Sequence, residues 1–271
     1  MKFTSVTAAL TGAAAVLAVP SPAMPDHAEM AKIPTSYESA VMGRRVLALS
    51  KLATFSTVFP GSSSADEDNA SIKSPSGLEG LPIGLMDYVA DCEDEGNPTI
   101  LAITIGTSFR NAAAGSNLTL SMRWVPPYPP LKRMSLMSRV KSYFFSPPSD
   151  GLTAPDTVPY SAANLPRFSL VGYLEYFEPD PLESVRLAAC YTSKHHDAKW
   201  WLPGNVIHES KWARLVVTHI YWIGGFGDRA YIGWIPLEEW QKVTKEEWSS
   251  IELPGEKKGW GEWSVDNIME L

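Results

Sequence analysis

Two stretches of this sequence have residue types and spacing suited to chemistry. The first is Thr107-Ser108-Phe109-Arg110-Asn111, directly after the apolar run Thr99 to Ile105. A turn that leaves a buried strand and opens a helix offers free backbone N–H groups, and two hydroxyls and a fixed guanidinium beside it can hold a phosphate. Capping of a short alanine helix by Thr or Ser accounts for the same residues more simply. The second stretch, Gly225-Phe226-Gly227-Asp228-Arg229-Ala230, has the G-x-G-x-x-A spacing of a dinucleotide loop. The next residues, Tyr231 to Ile235, have the pattern of a strand and supply no helix N-terminus for a pyrophosphate, which argues against that chemistry. For His195, His196, His208 and His219, neither cysteine nor carboxylate spacing completes a zinc set, and no metal site is expected. The acidic run Asp91 to Gly96 lacks the alternating ligands of an EF-hand and is expected to be a solvated turn. There is no G-x-S-x-G elbow, H-E-x-x-H helix or P-loop lysine motif.

The elements that must position these residues are mostly strands. Leu215 to Pro236 is the strongest signal. Leu215 to Ile223 carries β-branched and aromatic residues at successive positions, which suits a central strand buried on each side. Gly224, Gly225 and Gly227 then predict a bend, and Tyr231 to Ile235 resumes the strand. Further strands are predicted over Leu52–Phe59, Ile83–Ala90, Thr99–Ile105, Leu118–Trp124 and Arg167–Phe177, the last with Gly172 as a bulge. Thr35 and Glu38 form a capping box before an amphipathic helix over Ser36–Ser50, with Arg44 and Arg45 on its solvated flank. Helices are also expected over Pro181–Tyr191, His195–Leu202 and from Pro236 onward, where Thr244 and Glu247 make a second capping box. Strands without regular βαβ alternation favour an antiparallel barrel with peripheral short helices, a mainly β, α+β class.

A chain of 271 residues with 45% hydrophobic content can bury a full core, and its net charge of −7 argues against a nucleic-acid footprint. Residues 1–18 predict a secretory signal peptide: one lysine, then a small-residue and apolar run ending in Val16 and Ala18. Residues 19–33 are expected to be a flexible leader, 34–249 the domain, 126–159 a proline-rich insertion with a basic amphipathic segment, and 250–271 a surface tail. No later stretch has the roughly 20 apolar residues that span a bilayer. Asn69 and Asn117 head glycosylation triplets, whereas Pro98 excludes Asn97. The only cysteines, Cys92 and Cys190, are compatible with one disulfide or with two separate buried thiols.

The order of segments resembles a known family. After the N-terminal helix come ATFSTV, LPIGLMDYVADC, ILAITIGTSFRNAAAGSNLTLSM, LPRFSLVGYLEYF, HHDAKWWLPG and ARLVVTHIYWIGGFG. Together they are similar to the CREG-type secreted glycoproteins, within the pyridoxamine-phosphate-oxidase-like group with its flavin-mononucleotide (FMN)-binding split barrel. The likeness covers roughly Thr35 to Val243 without the insertion. It implies a homodimer, with aromatic residues such as Trp222 or Tyr231 near the interface, and a secreted or vacuolar-pathway location. In flavin-binding members a Ser-x-Arg-Lys-like turn grips the FMN phosphate. Thr107, Ser108, Arg110 and Asn111 correspond to that element, with asparagine in place of lysine, and ATFSTV lacks the basic residues of the first strand. The resemblance therefore implies a glycoprotein that acts by binding, with unknown protein or small-molecule partners. The alternatives are an FMN-dependent oxidoreductase of the pyridoxamine-phosphate-oxidase type and, more remotely, a haem-related activity.

Overall fold

The computed structural model describes residues 33–61, 75–130, 161–205 and 208–260. Asn69, the segments before residue 33, the amphipathic part of the insertion and the end of the tail lie outside these residues. The elements run α1 (Ser36–Leu49), β1 (Leu52–Val58), β2 (Pro82–Tyr88), β3 (Thr99–Ile103), α2 (Thr107–Ala113), β4 (Leu118–Arg123) and β5 (Arg167–Tyr176). They continue with α3 (Pro181–Lys194), a 3-10 turn (His196–Trp200), β6 (Ser210–Ile223), β7 (Ile232–Ile235), α4 (Leu237–Lys242) and α5 (Lys245–Ser250).

All described strand pairs are antiparallel, in the order β2-β1-β4-β5-β6-β3, with β7 also paired to β6. The sheet is of the split-barrel type and is not closed. β6 holds it together because it is long enough to serve three partners. One edge runs along β5; the other takes β3 at Ser210–Arg214 and β7 at Ile220–Ile223. Gly172 is the bulge where β5 shifts register against β6. A Cβ there would sit 2.0 Å from the Val216 carbonyl oxygen, so the two backbones approach as closely as only glycine permits.

β6 corrects one expectation. Its side chains alternate between buried and exposed, with Leu215, Val217, Ile220 and Trp222 buried while His219 and Tyr221 face out. The inner face feeds the main core with Phe55, Leu118, Leu120, Leu170, Trp240 and Leu253; a second cluster gathers Ala90, Cys92, Leu101, Leu187, Tyr191, Ala198 and Trp212. Trp222 is fully buried in the main core, so its own side chain contributes no exposed surface. The tail likewise does not start on the surface: Trp124 Nε1 donates to the Pro254 carbonyl and Trp260 Nε1 to that of Tyr128.

Both capping boxes form as expected, Thr35 with Glu38 and Thr244 with Glu247. The largest departure is Arg44. It is fully buried rather than solvated, because α1 presses its Gly43 face onto the Trp240 and Trp222 rings and carries the neighbouring guanidinium inward. There it donates to the carbonyls of Trp240 and Val243, both at 3.2 Å, and of Asp94 at 2.5 Å, and faces Asp91 at 3.8 Å. The run Asp91 to Gly96 is therefore not a solvated turn. Asp91 and Cys92 are buried, and Gly96 gives its carbonyl to Trp240 Nε1 at a φ of +78°.

Burial pushes the Asp91 carboxyl up, against the opposing pull of Arg44. A native value above the unfolded one, roughly 4, means that this group's stabilisation is whole below that pH and is lost as pH rises through the native value. The melting temperature of the wild type relative to Asp91→Asn should therefore fall as pH rises from about 4 towards neutrality. A difference that grows with pH would contradict the assignment. Gly172→Ala should destabilise by about 3 kcal/mol or more, or prevent folding. Gly227→Ala, whose Cβ meets only Ile232 at 3.6 Å, should stay within about 1 kcal/mol of wild type in denaturant unfolding.

Candidate functional site

The turn singled out for phosphate chemistry lies where β3 hands over to α2. The helix begins at Thr107, but its N-cap is Gly106 and no side chain caps it, so neither hydroxyl has the capping role expected of it. Gly106 fits because a Cβ would lie 3.0 Å from the Phe109 ring and 3.1 Å from the Ile103 carbonyl. Phe109 anchors the helix, edge-on to Phe55 at 5.9 Å.

Packing that face divides the candidate residues. Ser108 and Asn111 are each only 4% exposed, while Thr107 and Arg110 are half-buried. Asn111 Nδ2 donates to Thr57 Oγ1 at 3.0 Å, tying α2 to β1. Asparagine thus occupies the lysine-like position as an internal crosslink rather than an outward donor. Thr107 and Arg110 remain as one hydroxyl and one guanidinium facing outward. A flavin phosphate carries close to two negative charges, and of the four residues only the Thr107 hydroxyl and the Arg110 guanidinium are not buried, a single cation to set against it.

The remaining sequence candidates are scattered. Cys92 and Cys190 are joined in a disulfide that ties the acidic segment to α3. Asn117 is exposed just before β4. Among the described residues no three histidine, cysteine or acidic side chains come together as a metal set. His195 is buried and stacks on Tyr88, with ring centroids 4.4 Å apart and planes 4° from parallel, and its Nε2 lies 3.0 Å from the Val89 carbonyl oxygen. Burial lowers its pKa, which favours the neutral ring. The hairpin at Gly224 to Gly227 joins β6 to β7, and Gly224 donates to the Tyr231 carbonyl at 3.0 Å, so the glycine spacing has a structural role.

Sequence patterns do not reveal a cleft beside His195. Asp87 and Tyr88 at the end of β2, Leu101 and Ile103 of β3, Tyr191 of α3, and Asp197 and Trp201 from the 3-10 turn and its end line a cavity of about 220 Å³. The alternation of β2 gives no hint of it, because the walls come from four separate elements. The one local signal is the concentration of aromatic and charged residues in His195 to Trp201.

An open antiparallel sheet in which one long strand serves two partners along a single edge, with helices at its margin, is the architecture of a split-barrel protein. Residues 34–242 match the family model described as CREG, beta-barrel, and the chain belongs to that family. Among solved structures it is similar to a haem-binding protein from Mycobacterium smegmatis, at 17% identity over 77% of this chain and 60% of that one, with a TM-score of 0.46. It is also similar to HutZ, a haem storage protein from Vibrio cholerae, at 12% identity over 70% of this chain and 96% of that one, TM-score 0.40. A third, a protein of unknown function from Agrobacterium tumefaciens, is 19% identical over 70% of this chain and 59% of that one, TM-score 0.42. The chain thus spans about 60% of the mycobacterial and Agrobacterium structures. No curated protein sequence matches it. Among the described residues no helix is long and apolar enough to cross a membrane.

The division of the turn has a measurable consequence. Asn111→Ala should cost about 1–3 kcal/mol of unfolding free energy by stranding the buried Thr57 hydroxyl. Arg110→Ala should leave stability within about 0.5 kcal/mol. Equal effects in chemical denaturation would show that Asn111 is not an internal crosslink.

Proposed function

We propose that the protein is a secreted or vacuolar-pathway glycoprotein that acts by binding and not as a flavin oxidase, and that it works as a homodimer. The observation that carries this proposal is the state of the phosphate turn in a CREG β-barrel chain: Asn111 is bonded inward to Thr57 and Ser108 is buried. The signal-peptide pattern in residues 1–18 and the triplets at Asn69 and Asn117 support passage through the secretory pathway. The dimer is supported by an apolar patch on the outer face of the sheet. Tyr221 and Trp234 face each other across β6 and β7 with centroids 5.0 Å apart, and Trp234 is 59% exposed. Tyr173 and Ile232 are also exposed. An aromatic patch of this kind on a sheet is what an interface between copies would use.

Titrating the purified mature protein with FMN and recording visible spectra tests the binding-only assignment. No saturable flavin signal is expected. Tight FMN binding that Arg110→Ala abolishes would instead overturn the binding-only assignment, and a haem titration in the same cuvette covers the third activity. For the assembly, sedimentation should show a dimer that Trp234→Glu converts to monomer while preserving the far-ultraviolet circular dichroism. A monomeric wild type would end the dimer proposal.

A further inference from the structure

The cavity beside His195 is chemically unlike a phosphate or flavin site. Three of its seven lining residues are aromatic, two are aliphatic and two are carboxylates; among the described residues no lysine or arginine lines it. The carboxylates are held in place. Asp197 Oδ2 accepts the Tyr88 hydroxyl proton at 2.7 Å, and Asp87 Oδ1 accepts the Tyr88 backbone N–H at 2.8 Å. Burial pushes the Asp87 carboxyl up, which marks a carboxylate lacking the counter-charge that would offset its desolvation.

The rings are equally fixed. Tyr88 lies flat against His195, which is itself held against the Val89 carbonyl at 3.0 Å, so the Tyr88 ring is backed on one face. The Tyr191 hydroxyl donates to the Tyr88 carbonyl at 3.2 Å and accepts from the Leu101 N–H at 3.3 Å, so its ring is pinned between β2 and β3. Lys194, the nearby ammonium, is directed to the Ala48 carbonyl and does not enter the cavity. These groups are in position before any ligand arrives, which lowers the ordering cost of binding.

Aromatic residues and carboxylates lining one cavity together select positive charge carried on an apolar body, because ring quadrupoles attract cations and the carboxylates supply the counter-charge. They repel phosphates and carboxylates, including those of flavins and haem. A volume of about 220 Å³ lies below the roughly 300–1,000 Å³ of pockets for drug-sized ligands. We propose that this cavity binds a small organic cation, an amine or quaternary ammonium with an apolar body, its charge held by Asp87 and Asp197 and its carbon atoms against Tyr88, Tyr191 and Trp201. None of Thr107, Ser108, Arg110 and Asn111 lines the cavity, so the assignment goes beyond the binding-only function and does not depend on the flavin result.

The test is calorimetric titration of the full mature chain with four probes: benzylammonium, tetramethylammonium, benzyl alcohol and benzoate. Saturable binding of the two ammonium ions is expected, with the alcohol and benzoate at least about tenfold weaker. Asp197→Asn and Trp201→Leu should each weaken benzylammonium by about tenfold. Lack of saturation by either ammonium ion at about 10 mM would overturn the proposal, as would equal affinity for benzyl alcohol and benzylammonium. The comparison of probes needs no variant. If Asp197→Asn fails to fold, Asp87→Asn replaces it, and a folded carboxylate variant with unchanged affinity would equally overturn the assignment.

Discussion

A single buried guanidinium organises the margin of this sheet. Arg44 reaches three backbone carbonyls from two distant parts of the chain, Asp94 on one side and Trp240 and Val243 on the other, and faces the Asp91 carboxylate. Those carbonyls belong to segments with little regular structure of their own: the loop that leads into β3 and the end of α4. Without the guanidinium the Trp240 and Val243 carbonyls would lose a buried donor, a loss on the order of 1–3 kcal/mol each. Trp240 completes the junction by covering Arg44 at 5.7 Å and donating to Gly96, and a Cβ on Gly96 would collide with both. The ion pair itself is a weak source of stability, since burial opposes both charges. What Arg44 contributes is geometry: it holds the loop from Asp91 to Gly96 so that β3 enters the sheet in register with β6.

The functional surfaces depend on that geometry. β3 leaves the Arg44 junction, contributes Leu101 and Ile103 to the aromatic cleft, and ends at the turn into α2. The disulfide between Cys92 and Cys190 anchors the same loop to α3, which carries Tyr191 into the cleft and delivers His195 against Tyr88. One short segment therefore governs both the phosphate-like turn and the cavity. The turn has Ser108 and Asn111 packed inward, while two carboxylate and three aromatic residues line the cleft.

Local rules made much of the fold legible in the sequence. Capping boxes at Thr35 and Thr244, the bulge at Gly172, the glycine bend after Ile223 and the antiparallel class all depend on residues within a few positions of one another. What stayed hidden depends on partners far away. Arg44 has the look of a solvated helix residue because its acceptors lie about 50 and 200 positions away, and the acidic run Asp91 to Gly96 looks like a surface turn for the same reason. In β6, apolar residues at consecutive positions suggested burial on both faces, yet Tyr221 stands outward on a sheet whose second face is only partly covered. Asn111 and Ser108 could be named as candidates, but the direction of their side chains is set by Phe109 packing onto Phe55. The cleft was illegible because no single element carries more than two of its walls.

The β3–α2 turn and the cleft are the two places where a ligand could engage this CREG β-barrel chain, and one measurement separates them. It is amide chemical-shift mapping of the isotope-labelled mature chain with FMN and with benzylammonium, in parallel. Benzylammonium should shift the amides of Asp87, Tyr88 and His196 to Trp201 in a saturable way, while FMN leaves Thr107 to Asn111 unmoved. Saturable FMN shifts at Thr107 to Asn111, with a cleft silent to benzylammonium, would contradict both assignments.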